Sequence, residues 1–389
     1  MTAPTVRLPV PALDRLDEVT AALATTAAEY DRSGAFPHAA IRVIHDAGLL
    51  TAGVDARYGG AGAGPTDLAR ILLALGRGDP SAGLITAMTL LPHAFQARRP
   101  WPEELYAKLL AESAEKPTLL NNARVEPELG SPARGGLPAT LARRTADGWS
   151  VSGRKRFVTG AEGLSYFLVW AATDEPVPRV GTFVLPAESP GIEVVPTWRQ
   201  LGLRASGSHD VVLTEVEIPA GHVLDITEHG PRAQQDNLAA GAVHLLLSAL
   251  YIGVARAAQS SVHRFAHERV PANLGRPLAT TDRFKQTAGE IETLLSTAEQ
   301  LVFGATARLD RGEPVAGAEA LAAKVVVVRQ ITAAVQTGLR LLGNPGLSQD
   351  NPLERHFRDI QSAGVHAPQE DTALLDIGAA VLAAAAPGA

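Results

Sequence analysis

The sequence predicts a mostly helical protein with a sheet domain at its centre. Three observations carry that prediction. From Asp147 to Pro219 apolar residues recur with period two, on either side they recur with helical spacing, and the changes of period fall in turn-rich segments. A chain of 389 residues exceeds what one core usually serves, so separate units are expected. They are a helical domain over residues 1–118, a β-domain over 119–230 and a four-helix bundle over 231–389.

Composition narrows the function classes. The chain is 46% hydrophobic and 20% charged, which excludes a disordered chain, and a formal charge of -6 argues against a nonspecific nucleic-acid binder. Without cysteine there is no disulfide, thiolate metal site or cysteine nucleophile. The N-terminal residues carry prolines and acids where a signal peptide needs an apolar run, and the apolar stretch 238–258 is interrupted by His244 and Arg256. A cytoplasmic protein with no membrane or nucleic-acid partner is expected.

In chain order, residues 12–28 and 37–49 have helical stripes, Leu13, Leu16, Val19 and Leu23 on one and Ala40, Ile41, Ile44 and Ala47 on the other. The glycine-rich segment 48–64 is either a close-packed rim or a plain connection. Helix resumes at Pro65, then again over 81–96, where His93 either satisfies a core position or faces a pocket, and over 101–112. The loop 119–136 is polar and turn-rich, with backbone N–H groups free to meet a ligand, but it lacks the P-loop and dinucleotide fingerprints.

An Asp-Gly turn at 147–148 launches a strand to Val158, with Trp149, Val151, Gly153, Lys155 and Phe157 on one face. Residues 166–172, 180–186, 191–196 and 209–219 repeat the strand signal. The loop 197–210 mixes Trp198, Arg199, Arg204, Ser206 and Ser208, suited to stacking and anion contact or to an exposed turn. Beyond Pro219 long helices are expected near 235–269, 282–310, 315–341 and after 369, joined by short breaks, as in an antiparallel bundle.

Four stretches in this order resemble the acyl-CoA dehydrogenase superfamily: 55–64, 148–161, 201–219 and 353–371. The resemblance covers nearly the whole chain. It implies a β-barrel as the middle domain, a flavin at the meeting of that domain with the bundle, and a homo-oligomer, a tetramer, whose neighbouring subunit completes the cofactor site. The implied cofactor is FAD or FMN, with FAD preferred. Phe157, Val158 and Thr159 match the strand beside the isoalloxazine, and Glu126, Gly130 and Ser131 match the first flavin-side loop, although its usual Thr-Glu-Pro-Gly opening reads Val125-Glu126-Pro127-Glu128. Trp198, Arg204 and Ser206 match the second loop, and Arg276 falls where the family faces the adenosine half.

The departure lies near the C-terminus. Dehydrogenases of the common type carry a glutamate base in a Tyr-Glu-Gly turn after an Arg-Asp pair; here Arg358 and Asp359 match the pair, but His366 and Ala367 stand at the tyrosine and the glutamate. That base removes the acyl α-proton while hydride leaves the β-carbon. The pattern ending at His366 resembles instead the monooxygenase branch, which takes reduced flavin from a separate reductase and forms a C4a-hydroperoxide with oxygen. In that branch a second histidine and an asparagine join the first, for which His93 and Asn122 are the matches, and an imidazole suits the work because it can donate to a developing oxyanion and return a proton.

Three functions are therefore weighed: a reduced-flavin monooxygenase on a small organic substrate; an acyl-CoA dehydrogenase or oxidase in which Glu370 replaces the base; and a non-catalytic flavin-fold binding protein.

Overall fold

The computed structural model describes residues 6–96, 100–129, 136–230 and 241–385. Among the described residues the N-terminal part holds five α-helices: α1 Leu16–Ser33, α2 His38–Asp46, α3 Pro65–Gly78, α4 Pro80–Ala94 and α5 Glu103–Glu115. Local chemistry sets their ends. Gly34, in the left-handed region, closes α1 by donating to Tyr30 O, which carries the helix five residues beyond the expected 28. The Asp79 carboxylate caps α4 through Ser81 N and Ala82 N, with Pro80 in the first turn. At the start of α3 an acid comes from far along the chain, because Thr66 N donates to Asp310 Oδ2 at 3.1 Å.

The central sheet holds β1 Leu120–Ala123, β2 Leu141–Arg144, β3 Gly148–Val158, β4 Tyr166–Thr173, β5 Arg179–Pro186, β6 Ile192–Val195, β7 His209–Pro219 and β8 Val223–Glu228. Its order is β6-β7-β3-β2-β4-β5-β8, with β1 added parallel to β4. The sheet coils on itself. Trp149 on β3 and Phe183 on β5 are three strand spacings apart, about 14 Å if the sheet were flat, yet their rings meet edge to face. Their centroids lie 5.3 Å apart, inside the curl. The short strands β1, β2 and β8 were not expected: β1 and β2 carry polar residues in four-residue runs, and β8 mixes acids with its apolar positions.

The C-terminal part is α6 Gly241–Glu268, α7 Asp282–Asp310, α8 Gly317–Leu342, α9 Asn344–Leu347, α10 Pro352–Ile360, α11 Ser362–Val365 and α12 Glu370–Ala384. Helices α6, α7, α8 and α12 are the four expected long ones. Among the described residues α6 alone is long and apolar enough to cross a membrane, and 72% of its apolar window is buried inside the molecule. It is the core helix of the bundle. Gly76 of α3 and Gly253 of α6 let the two helices touch backbone to backbone, since a Cβ on Gly76 would stand 2.0 Å from Leu250 O and one on Gly253 2.1 Å from Leu73 O. One apolar core runs from α1 through the sheet into the bundle.

Candidate active site

The strand β3 changes character at its end. Lys155 points inward, wholly buried, and donates to Glu126 Oε1 at 2.6 Å and Trp170 O at 2.5 Å. Two residues on, Phe157 takes a φ of 55°, the ladder with β7 shifts register, and the ring turns outward, 47% exposed. Its edge meets Trp198, with centroids 6.4 Å apart, and the Arg156 guanidinium sits 4.9 Å from its ring centre. Behind these rings runs a buried chain of hydroxyls: Thr159 Oγ1 lies 3.0 Å from Ser208 Oγ, which lies 2.8 Å from Ser206 Oγ.

The second loop is pinned from several sides. Trp198 Nε1 donates to Leu203 O at 2.9 Å, and Gly160 N donates to Ser206 O at 2.8 Å. Leu203, at a φ of 51°, donates its N–H to Asp359 Oδ1 at 2.7 Å. Next to it Arg358 forks onto Asp31 at 2.9 and 2.6 Å and reaches Glu354 and Leu201 O. The Arg-Asp pair on α10 thus ties the loop 201–206 to α1 and the bundle. Burial pushes the Asp359 carboxyl up to about 7, against the Leu203 bond and the arginines.

Next to α10 lies a narrow cleft with room for about one water molecule, lined by His244, Leu247, Ser248 and Tyr251 of α6, Lys324 and Val328 of α8, and Ala363, His366 and Ala367. Tyr251 Oη is 3.3 Å from His366 Nδ1, and the rings meet edge to face at 5.4 Å. Lys324 Nζ donates to His366 O at 2.7 Å and to Pro368 O. Burial, helped by the Lys324 charge, pulls His366 and His244 down to about 4, so both are neutral near pH 7. His244 Nδ1 is buried and has no hydrogen-bond partner among the described residues. Tyr251 is pushed up by burial and by Asp359, and stays a donor.

The other residues expected at the site fall elsewhere or serve other contacts. Glu126 is spent on Lys155, on the N–H groups of Ala139 and Thr140 and on the Thr140 hydroxyl. Burial raises its pKa, but Lys155 and these bonds together hold it below the usual carboxylate value. Gly130 and Ser131 lie outside the described residues. Val158 is in the core, 1% exposed, and only its backbone can face a ligand. Alternation on β1 sends Asn122 to the surface and Asn121 inward, where Asn121 Nδ2 donates to Thr159 O at 2.9 Å. His93 meets Tyr106, whose ring also packs on Tyr58 and Trp101; its Nδ1 is 3.0 Å from Tyr106 Oη, and its buried Nε2 has no hydrogen-bond partner among the described residues. It does not line the His366 cleft. Arg204 is exposed beside Arg32 O, Arg276 is exposed between α6 and α7, and Glu370 is exposed in an ion pair with Arg329 at 2.6 Å.

Comparison with known proteins decides the family. Residues 16–95, 123–216 and 245–370 match in turn the N-terminal, middle and C-terminal domains of acyl-CoA dehydrogenase. The provisionally named acyl-CoA dehydrogenase YdbM of Bacillus subtilis is 32% identical over 93% of this chain and 94% of its own. The chain belongs to the acyl-CoA dehydrogenase family. It is thereby a flavin-dependent oxidoreductase.

Two solved structures bracket the family members it is similar to. KijD3, solved with FMN and dTDP-3-amino-2,3,6-trideoxy-4-keto-3-methyl-D-glucose, is 27% identical with a TM-score of 0.83, over 98% of this chain and 97% of that one. Butyryl-CoA dehydrogenase of Megasphaera elsdenii shares the fold at a TM-score of 0.84 and 21% identity, over 95% of this chain and 98% of its own. The site residues that the sequence did not single out are Asn121, His244, Tyr251 and Lys324. Ser208 was legible as part of the loop; Tyr251, His244 and Lys324 sit on apolar helices, and only the packing of α6 against α8 brings them to His366.

Proposed function

We propose that this chain is a monooxygenase that takes reduced flavin from a separate reductase and oxygenates a small organic substrate. The observation that carries it is the pairing of His366 with Tyr251 at the cleft while Ala367 stands where the family base belongs and the nearest replacement, Glu370, is held outward by Arg329. Similarity to KijD3, whose structure holds FMN and an amino-keto sugar nucleotide, supports the same side.

The residues fit a flavin. Phe157 and Trp198 present exposed aromatic surface from a strained strand end, the buried hydroxyls of Thr159, Ser206 and Ser208 sit beside it, and Arg156 and Arg204 offer cations for a phosphate. Reduced FAD or FMN bound there would supply two electrons and two protons to oxygen, one oxygen atom entering the substrate and the other leaving as water while the flavin is left oxidised. His366 is neutral, and Tyr251 Oη lies 3.3 Å from its Nδ1 and 3.5 Å from its Nε2, so the hydroxyl and the imidazole form one pair able to pass a proton to a substrate oxygen. His244, also neutral, lines the facing wall of the cleft and can receive a substrate proton. Helix α12 buries only Ala373 and leaves Leu374, Leu375, Val381 and Leu382 exposed, which supports a homo-oligomer in which another copy covers that face; that it is a tetramer follows from the family resemblance alone.

The test supplies FMN or FAD, reduced by a generic NADH-dependent flavin reductase, with a panel of small phenols and amino sugars. Oxygen uptake coupled to product is expected, with His366→Ala losing roughly 100-fold or more of coupled turnover, the usual scale of a positioned proton-transfer group, while still binding flavin. Bleaching of bound FAD by acyl-CoA thioesters without oxygenation would overturn the reading. One observation favours that dehydrogenase alternative: Glu370 rims the adjoining cleft with Lys324, Val325 and Pro368. In that case Glu370→Gln, not His366→Ala, abolishes the bleaching.

A further inference from the structure

We propose that Lys324 is the positioning residue of the site, an ammonium buried in the bundle to hold the backbone of 366–368 so that His366 faces Tyr251 and the cleft. The proposal rests on the reading of His366 given above. Lys324 lies in the first third of α8 on its buried face, 7% exposed, beside Leu321, Val325 and Val328. An ammonium there is costly, and a side chain of similar length without charge would serve packing alone as well or better. No salt bridge reaches it among the described residues; Glu370, across the adjoining cleft, gives its Oε1 to Arg329. Its two acceptors are the carbonyls of His366 and Pro368, two residues apart, which bracket Ala367.

That bracket falls where the chain most needs it. His366 follows the single turn α11 in extended conformation, outside any helix ladder that could fix it. Its side chain meets Tyr251 from α6 and its carbonyl meets Lys324 from α8, so the residue is held across the bundle from both sides. The titratable or charged groups around the imidazole are Tyr251 and His244 on α6, Lys324 and Arg329 on α8, Glu370 on α12, and Asp359 on α10 beyond Tyr251. Of these Lys324 is the cation that raises the cost of a protonated His366. Holding the backbone and keeping the ring neutral are two effects of one group.

The experiment uses the full-length protein and two readouts that need no substrate. Lys324→Met preserves the apolar fit and removes the donor. Hydrogen exchange of peptides spanning 362–370 is expected to speed up by about ten-fold or more, with peptides of α7 unchanged. The His366 imidazole, assigned by its loss in His366→Gln, is expected to titrate at a higher pH than in the wild type, and Lys324→Arg to restore protection in part. Unchanged exchange and titration in folded Lys324→Met overturn the proposal. So does loss of the cooperative unfolding transition in both variants, which makes Lys324 a folding residue only. Full coupled turnover in His366→Gln sinks the function reading instead, and leaves a loosened 362–370 segment in Lys324→Met to stand for the backbone role alone.

Discussion

Lys155 and Phe157 occupy one face of the period-two run that begins at Trp149, and their fates differ. Alternation carries Lys155 into the core with Trp149 and Val151, so its burial was legible from the pattern; its partner Glu126 was not, because 29 residues and a loop separate them in sequence. Alternation alone would bury Phe157 too. The left-handed turn at that residue reverses it, and a backbone kink of that kind leaves no mark in hydrophobic spacing. The ion pair has no exposure to soften its loss, as both side chains are at most 1% exposed. Lys155→Met strands Glu126 as a buried charge and is expected to cost about 3–5 kcal/mol in urea unfolding, whereas Lys155→Met combined with Glu126→Gln recovers part of it. A loss below about 1 kcal/mol in the single variant means that water reaches the pair.

At the scale of elements, helices α1, α3, α7 and α8 were readable because each buries one stripe with a fixed period, β3 because it alternates, and β4 and β5 as apolar runs buried on both faces. The helix α10 was not read as an element: its stretch was noticed for its Arg-Asp pair, and its stripe is reduced to Leu353, Phe357 and Ile360 among Glu354, Arg355, Arg358 and Asp359. The domains meet at contacts that sequence patterns do not encode, and the crossing of α3 on α6 is the clearest. Ordinarily Gly→Ala inside a helix gains up to about 1 kcal/mol. At Gly76 the added carbon would stand 2.0 Å from Leu250 O, backbone that cannot rotate away, so the helices must separate. Overpacking of that kind costs about 1–3 kcal/mol or more and outweighs the propensity gain. Gly76→Ala is therefore expected to lower the unfolding midpoint and Gly289→Ala to raise it, since nothing lies within 4 Å of the corresponding carbon on Gly289. A thermal melt of the two variants decides it; a stabilised Gly76→Ala would show that the crossing yields.

For the whole molecule the buried ionisable groups set a response to pH. His93 and His356, 1% and 4% exposed, are drawn down to about 4 and about 3 from an ordinary 6.5, both first by burial, and His356 further by Arg355 and Arg358. A lowered histidine is neutral in the fold while the unfolded chain takes up a proton below pH 6.5. Its contribution is whole above that pH and is lost as pH falls toward 4, and His244 and His366 act in the same direction. Asp359 opposes them. Raised to about 7 from an ordinary 3.8, it keeps in the fold a proton that the unfolded chain gives up, so it favours the native state at low pH and that benefit fades as pH rises through the same window. The histidines outnumber it, and stability is expected to fall from pH 6.5 to 4.5. Each group contributes about 1.4 kcal/mol per pH unit, so His93→Gln should flatten the slope by about that amount. Asp359→Asn, which keeps an oxygen for the Leu203 N–H, should steepen it by about the same amount. Urea titrations of the three proteins at half-unit steps of pH read both changes, and parallel slopes in all three would mean that these groups titrate in the fold as they do in water.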